Sequence, residues 1–285
     1  MDLFSIREEI LELLDKRRKE LELEFIEEDH IYYMKDIDGV VKSDFPSVSK
    51  IIKNFYKPFD AKKKALEMSG GDPVGQSKLL AEWREAGDLS TNMGSRVHFE
   101  LECELIDRYG SYKEVRQPIF EINDEQRRKS DNMIEAGKNF LDLMNDRGAI
   151  LLDTEIVLGD IEDQYTGQPD KAWLMMNRDK TDFGFVITDY KTNKPKNFEV
   201  YPYTDRMYPP FSNYHNTSLT HYYLQLPLYA RLLIRMLKNT KYENITYFGG
   251  VIVLLKDDKT FQEYRIPKDI TEKVFNLDLK KIIKR

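Results

Sequence analysis

Asp170, Asp189 and Lys191 are the residues whose types and spacing first suggest chemistry. The stretch from Thr166 to Lys191 reads as two short strands joined by a polar turn. Asp170 opens the first strand, and the run Phe183 to Ile187 leads into Asp189-Tyr190-Lys191 at the end of the second. Neighbouring antiparallel strands bring side chains distant in sequence into one small volume. Two carboxylates and an ammonium gathered there would suit a hard cation and a phosphate. The same residue types also fit a solvated strand edge, and Asp-x-Lys alone is a frequent chance match.

Such residues need elements to position them. Ahead of the pair, Ile150 to Leu158 reads as a strand carrying Glu155 in an otherwise apolar run. Two helices bracket the region. One is expected from about Ser95 to Tyr109, with Val97, Leu101, Leu105 and Ile106 on its apolar face. It stacks His98 and Glu102, four apart, on one side, where they can face one point or simply stabilise the helix as a pair. The other helix, Leu219 to Leu237, places Gln225 and Tyr229 four apart among leucines. A Gln buried there without partners is costly, so it is expected to face a polar site.

The remaining elements are peripheral to that set. Ile6 to Leu23 has the period of an amphipathic helix, and Asp38-Gly39 is a hairpin turn signal between Phe25–Met34 and Val40-Val41. Pro46-Ser47 starts a short helix with Val48, Ile51, Ile52 and Phe55 as its buried stripe. A basic helix, Ala61 to Met68, ends at Gly70-Gly71, and a further helix is expected around Leu79 to Ala86. Asp124 to Arg147 is a long helix stopped by Gly148. Strands at Tyr247–Leu255 and Phe261–Ile266 and a basic helix from Asp269 complete the set. Thr192 to Thr217 is a long irregular segment with Phe198, Tyr201, Tyr203, Tyr208, Phe211 and Tyr214. Such loops are commonly lids or binding loops. Its aromatics suit stacking on unpaired bases and suit equally well pinning the loop to the core.

Composition narrows the function classes. The 285 residues are 41% apolar and 33% charged, which fits one elaborated globular core. No apolar run is long enough to span a membrane, and the first residues lack a secretory layout, so an intracellular, cytoplasmic protein is expected. Cys103 is the only cysteine, which excludes an intrachain disulfide, a four-cysteine zinc site and a cysteine-held iron–sulfur cluster. The net charge of −6 argues against a nonspecific polycation but allows a local basic groove. Lys62-Lys63-Lys64 and Arg127-Arg128-Lys129 read as solvated helix faces.

Taken in order, Gly94-x-x-Val97-His98-x-x-x-Glu102, Glu155, Gly167-Gln168-Pro169-Asp170, Asp189-Tyr190-Lys191-Thr192 and Gln225-x-x-x-Tyr229 resemble the RecB-like branch of the PD-(D/E)XK nuclease superfamily. The resemblance covers about Phe25 to Leu255. His30-x-Tyr32, Pro46-Ser47-Val48 and Trp83 ahead of Gly94 extend it, more loosely, to phage-type exonucleases and the mitochondrial genome maintenance exonuclease. It implies an α/β fold: a restriction-endonuclease-like core over 94–285, with a central mixed β-sheet flanked by helices, and a helical and hairpin elaboration over 1–93.

The resemblance also implies a metal-dependent DNA exonuclease for replication, recombination or end processing in a phage-infected or bacterial cell, one that engages single-stranded DNA or a free end. An endonuclease of the same superfamily and a noncatalytic DNA-binding module are the alternatives. Mg²⁺ or Mn²⁺ would be held by Asp170, Asp189, His98 and the Tyr190 carbonyl, and Lys191 would position water. Glu102 and Glu155 would orient ligands or bind the cation through water, or Glu155 would pair with Lys191. Gln225 and Tyr229 would meet the DNA backbone or Lys191; Thr192 and Asn193 would cap the strand end or touch a phosphate; and Lys194 would meet the DNA. Nothing in the chain names a protein partner.

Overall fold

The computed structural model describes residues 2–110 and 118–283. Its elements in chain order are α1 (Leu3–Leu21), β1 (Glu24–Ile26), β2 (Ile31–Lys35), β3 (Val41–Lys42), α2 (Val48–Ile52), α3 (Ala61–Met68), α4 (Pro73–Tyr109) and α5 (Asp124–Asp146). Then come β4 (Ile150–Thr154), β5 (Leu158–Asp160), β6 (Tyr165–Gly167), β7 (Lys171–Met176), β8 (Phe183–Lys191), α6 (Ser218–Met236), β9 (Thr246–Leu255), β10 (Phe261–Arg265), α7 (Lys268–Phe275) and α8 (Leu279–Ile283).

The fold is α/β, built on a mixed five-stranded sheet in the order β10-β9-β8-β7-β4 with helices about it. β7 pairs antiparallel with both β4 and β8, whereas β8 pairs parallel with β9. Parallel strands need a long crossover, and α6 lies within it. β8 is therefore paired on both edges, and its apolar residues Phe185 and Ile187 are fully buried. Asp189 and Lys191, two apart, share one face of this strand, and Tyr190 takes the other.

The chain divides into two compact units, neither of them continuous in sequence. The first comprises 1–56, 141–254 and 263–285, and the second 57–140 and 255–262. In the first, α1 buries Ile10 and Leu14 completely, and Arg7 donates to the carbonyl of Leu151 in β4 at 2.7 Å. Leu224, Leu226, Leu228, Leu232 and Leu233 of α6 join the same core, so this helix is enclosed over much of its circumference. Arg231, on that helix, is buried. It donates to Asp163 at 2.7 Å and to the carbonyls of Val274 and Leu277 at 2.8 and 3.0 Å. A buried guanidinium so surrounded keeps its charge compensated.

In the second unit α4 buries Val97, Leu101 and Leu105, and α5 approaches closely where Gly137 leaves room. A Cβ at Gly137 would lie 2.3 Å from Leu101 Cδ1.

Two expected elements differ from the observed ones. The helices expected around Leu79–Ala86 and Ser95–Tyr109 are one helix of 37 residues, and residue 93 lies inside it. Gly87 and Gly94 weaken a helix without ending it, because single glycines cost only about 1 kcal/mol. The strand expected from Ile150 to Leu158 stops at Thr154, because Glu155 takes a left-handed conformation with φ 46°. That conformation interrupts the extended backbone between β4 and β5 and turns the chain there. Among the described residues no helix is long and apolar enough to cross a membrane.

Candidate metal and phosphate site

The site is best built outward from β7 and β8. Their register sets Lys171 opposite Thr188, so Asp170, just before β7, reaches the carboxy end of β8. The amide of Tyr190 donates to Asp170 Oδ2 at 3.3 Å, which fixes the Asp170 carboxylate there. Lys191 pairs with Asp189 Oδ2. The Lys191 side chain is 17% exposed and that of Asp189 4%. Burial opposes the lysine's charge, but the carboxylates of Asp189 and then Asp170 outweigh it and hold the ammonium above its ordinary pKa.

Glu155 enters through its unusual backbone. Its amide donates to the Asp170 carbonyl at 3.0 Å, and its own carbonyl accepts from Gln168 Nε2 at 3.1 Å. Carboxylate oxygens of Glu155 and Asp170 lie within 4.8 Å of one another, close enough for one cation to take both. These hard oxygen donors could hold a hard metal ion.

Helix α6 forms a wall. Gln225 Nε2 donates to the Tyr229 hydroxyl at 2.8 Å. Burial, chiefly, and the negative charge of Asp189 hold the Tyr229 phenol well above its ordinary pKa, so it stays neutral. Gly167 admits the ring: a Cβ there would come within 2.7 Å of Tyr229 Cε1 and 2.8 Å of Val48 Cγ2. Val48 stands at the start of α2, where Ser47 caps the helix and the Thr166 amide donates to the Pro46 carbonyl at 3.1 Å. The Pro46-Ser47-Val48 motif thus docks α2 onto β6 beside the Tyr229 ring.

Two contributors, Tyr222 and Lys171, escaped sequence reasoning, and a third, Tyr32, stood in a motif without a role. Tyr222 puts its ring under Lys191, with Nζ 4.4 Å from the ring centroid, and its hydroxyl donates to Asn193 Oδ1 at 3.1 Å. Its place three residues before Gln225, on the same side of the helix, is the signal that could have found it. The phenol of Tyr32, in β2, has its pKa pushed up to about 12 by burial and then by the negative charge of Glu155. On the other face of the sheet Lys171, 3% exposed, sets its Nζ 3.9 Å from the centroid of Tyr190. The aromatic face offsets part of the cost of burying that ammonium.

The first unit therefore brings together Asp170, Asp189, Lys191 and Glu155, with Tyr190 tied to Asp170 through its amide. Gln225 and Tyr229 are bonded to each other. Thr192, Asn193 and Lys194 follow β8 directly, and of these Lys194 is exposed. His98 and Glu102 belong to the second unit, one turn apart on α4, both half-buried.

The irregular segment sorts its aromatics. Phe198 and Phe211 are buried, the latter edge-on to Phe55 at 5.0 Å, and Tyr214 bonds Asp269. Tyr201, Tyr203 and Tyr208 remain exposed. A scan against protein-family models finds no match for this chain, and no curated protein matches it.

Proposed function

We propose that this protein is a metal-dependent deoxyribonuclease of the PD-(D/E)XK type, RecB-like, that hydrolyses DNA from its ends. The observation carrying this reading is the convergence of Asp170, Asp189 and Lys191 at the ends of two antiparallel strands, with the Glu155 carboxylate beside Asp170. Asp170, Asp189 and Glu155 would hold Mg²⁺ or Mn²⁺, and the resemblance adds the imidazole of His98 and the Tyr190 carbonyl. A divalent cation so held supplies Lewis acidity to water and phosphate.

The protein's own groups divide the remaining work. Lys191 keeps its proton across the neutral range, so it acts as a donor and a positive charge toward the phosphate and the attacking water. It does not serve as the base, and the water's proton passes to a carboxylate or to solvent. Gln225 and the neutral Tyr229 phenol offer hydrogen bonds to phosphate oxygens, as does the amide of Asn193. Glu102 orients a ligand from α4.

The test compares linear DNA with a covalently closed circle, in Mg²⁺ or Mn²⁺. Wild-type protein should release nucleotides from the linear form and spare the circle, and Asp189→Asn and Lys191→Ala should each lose at least 100-fold in rate while still binding DNA. Nicking of the circle at a similar rate would replace the exonuclease reading with an endonuclease. No hydrolysis of either form would refute both.

A further inference from the structure

The exposed part of the irregular segment has an order that packing against the core does not require. Tyr201 and Tyr203 lie with ring planes 9° apart and centroids at 5.7 Å. The buried aromatics of this segment meet their neighbours edge-on: Phe198 meets Tyr222 at 67° and Tyr264 at 76°, and Phe211 meets Phe55 at 88°. Edge-on pairs close a core, whereas a parallel pair leaves an outer face onto which another flat ring can add. Tyr203 is 82% exposed, so that outer face is open to solvent.

The pair is also held in place. The Tyr201 hydroxyl donates to Glu199 at 3.0 Å. The Tyr201 amide donates to Thr204 Oγ1 at 3.0 Å, and the Thr204 amide returns to the Tyr201 carbonyl at 2.9 Å. Pro202 stiffens the link between the two rings. Ordering exposed rings costs entropy, and here local bonds have met that cost before any ligand arrives.

Charge points to the kind of ligand. In sequence Lys194 and Lys196 fall between Lys191 and the stacked pair, both are exposed, and neither is in an ion pair among the described residues. The Glu199 carboxylate accepts from the Tyr201 hydroxyl and keeps its negative charge, so the stretch from Lys191 to Tyr203 carries three lysines against one glutamate. Flat rings on a segment of net positive charge match a strand that carries both bases and phosphates. In a duplex the base faces are covered by their neighbours, so only an unpaired base can add to the stack.

We propose that the Tyr201–Tyr203 stack is a platform for an unpaired nucleobase of single-stranded DNA leading to or from the Lys191 site. The proposal rests on the nuclease reading for its strand, but its test does not depend on hydrolysis. The test measures anisotropy of a labelled oligo(dT) with full-length protein in EDTA, beside an oligonucleotide of the same length carrying abasic sites.

Tyr203→Ala should weaken oligo(dT) binding about 5- to 100-fold. The slope of affinity against salt should not change, because no phosphate contact is lost. Tyr203→Trp should restore binding. On the abasic strand wild type and Tyr203→Ala should bind alike. The proposal is overturned if Tyr203→Ala binds oligo(dT) like wild type, if it loses as much on the abasic strand, or if wild type binds neither. Hydrolysis of linear DNA by wild type is followed separately. Hydrolysis with binding insensitive to Tyr203→Ala overturns the platform alone, and sensitive binding without hydrolysis overturns the nuclease reading alone.

Discussion

Tyr222→Leu removes the aromatic face under Lys191 and should uncouple that lysine from its place without touching either aspartate. Three contacts are lost. With Nζ 4.4 Å from the ring centroid and the lysine side chain only 17% exposed, the cation–π contact is worth about 1–2 kcal/mol, between the exposed and desolvated limits. The hydroxyl bond to Asn193 adds about 0.5–1.5 kcal/mol. The contact with Phe198, 5.9 Å between centroids, adds about 0.5–1.5 kcal/mol. Tyr222→Phe loses only the hydroxyl bond.

The leucine variant should therefore cut the single-turnover rate on linear DNA about 5- to 30-fold with little change in KM, and the phenylalanine variant no more than about 10-fold. A double-mutant cycle with Lys191→Met, read by urea unfolding, isolates the ring–ammonium contact at about 1–2 kcal/mol. A coupling within about 0.3 kcal/mol of zero would refute the support of Lys191 by the Tyr222 ring. So would a phenylalanine variant as impaired as the leucine one. The unfolding cycle reports on the contact even if no DNA is hydrolysed.

Gly167→Ala should be costly at a position whose backbone conformation alone looks permissive. Its Cβ would press the Tyr229 ring and Val48, so stability should drop by about 1–3 kcal/mol, read as a lower urea midpoint, together with hydrolytic rate. Unchanged stability would mean that the ring does not lie against β6. His221 stacks on Tyr56 at 3.8 Å, bonds Asn216, and is lowered by burial from 6.5 to about 4. The folded protein keeps it neutral while the unfolded chain takes up a proton below pH 6.5. Its contribution is therefore present above pH 6.5 and lost as pH falls toward about 4. His221→Phe should flatten that part of the stability profile in urea unfolding at pH 7, 6 and 5, and an unaltered slope would refute the assignment.

Much of the frame was legible because periodicity reports burial. The apolar stripe of α6, the hairpin signal before β3 and the Ser47 cap all predict elements that are present. The convergence of Asp170 with Asp189 and Lys191 follows from strand pairing, which brings the start of β7 to the end of β8. Glu155 was less legible: Asp-Thr-Glu-Ile carries no glycine or asparagine to announce a left-handed residue. The unbroken α4 was hidden for the opposite reason, since Asn92-Met93-Gly94-Ser95 resembles a break but is carried through as helix. Tyr222 was overlooked among the many tyrosines around it. Which loop aromatics are buried depends on partners such as Phe55 and Tyr264, far off in the chain, and no local pattern encodes them.

The parallel pairing of β8 with β9 has a consequence for the order of assembly. Asp189 lies opposite Ile252 and Lys191 opposite Leu254, so one edge of the strand that carries both stays open until the chain has been made through Leu255. Closing so long a loop is slow relative to forming hairpins such as β7–β8. During synthesis the acidic half of the site can form with β7 and β8 while the α6 wall and the covering strand are still missing. The two aspartates and Lys191 therefore meet early, and the enclosure that sets their charges comes late, after nearly the whole first unit has emerged.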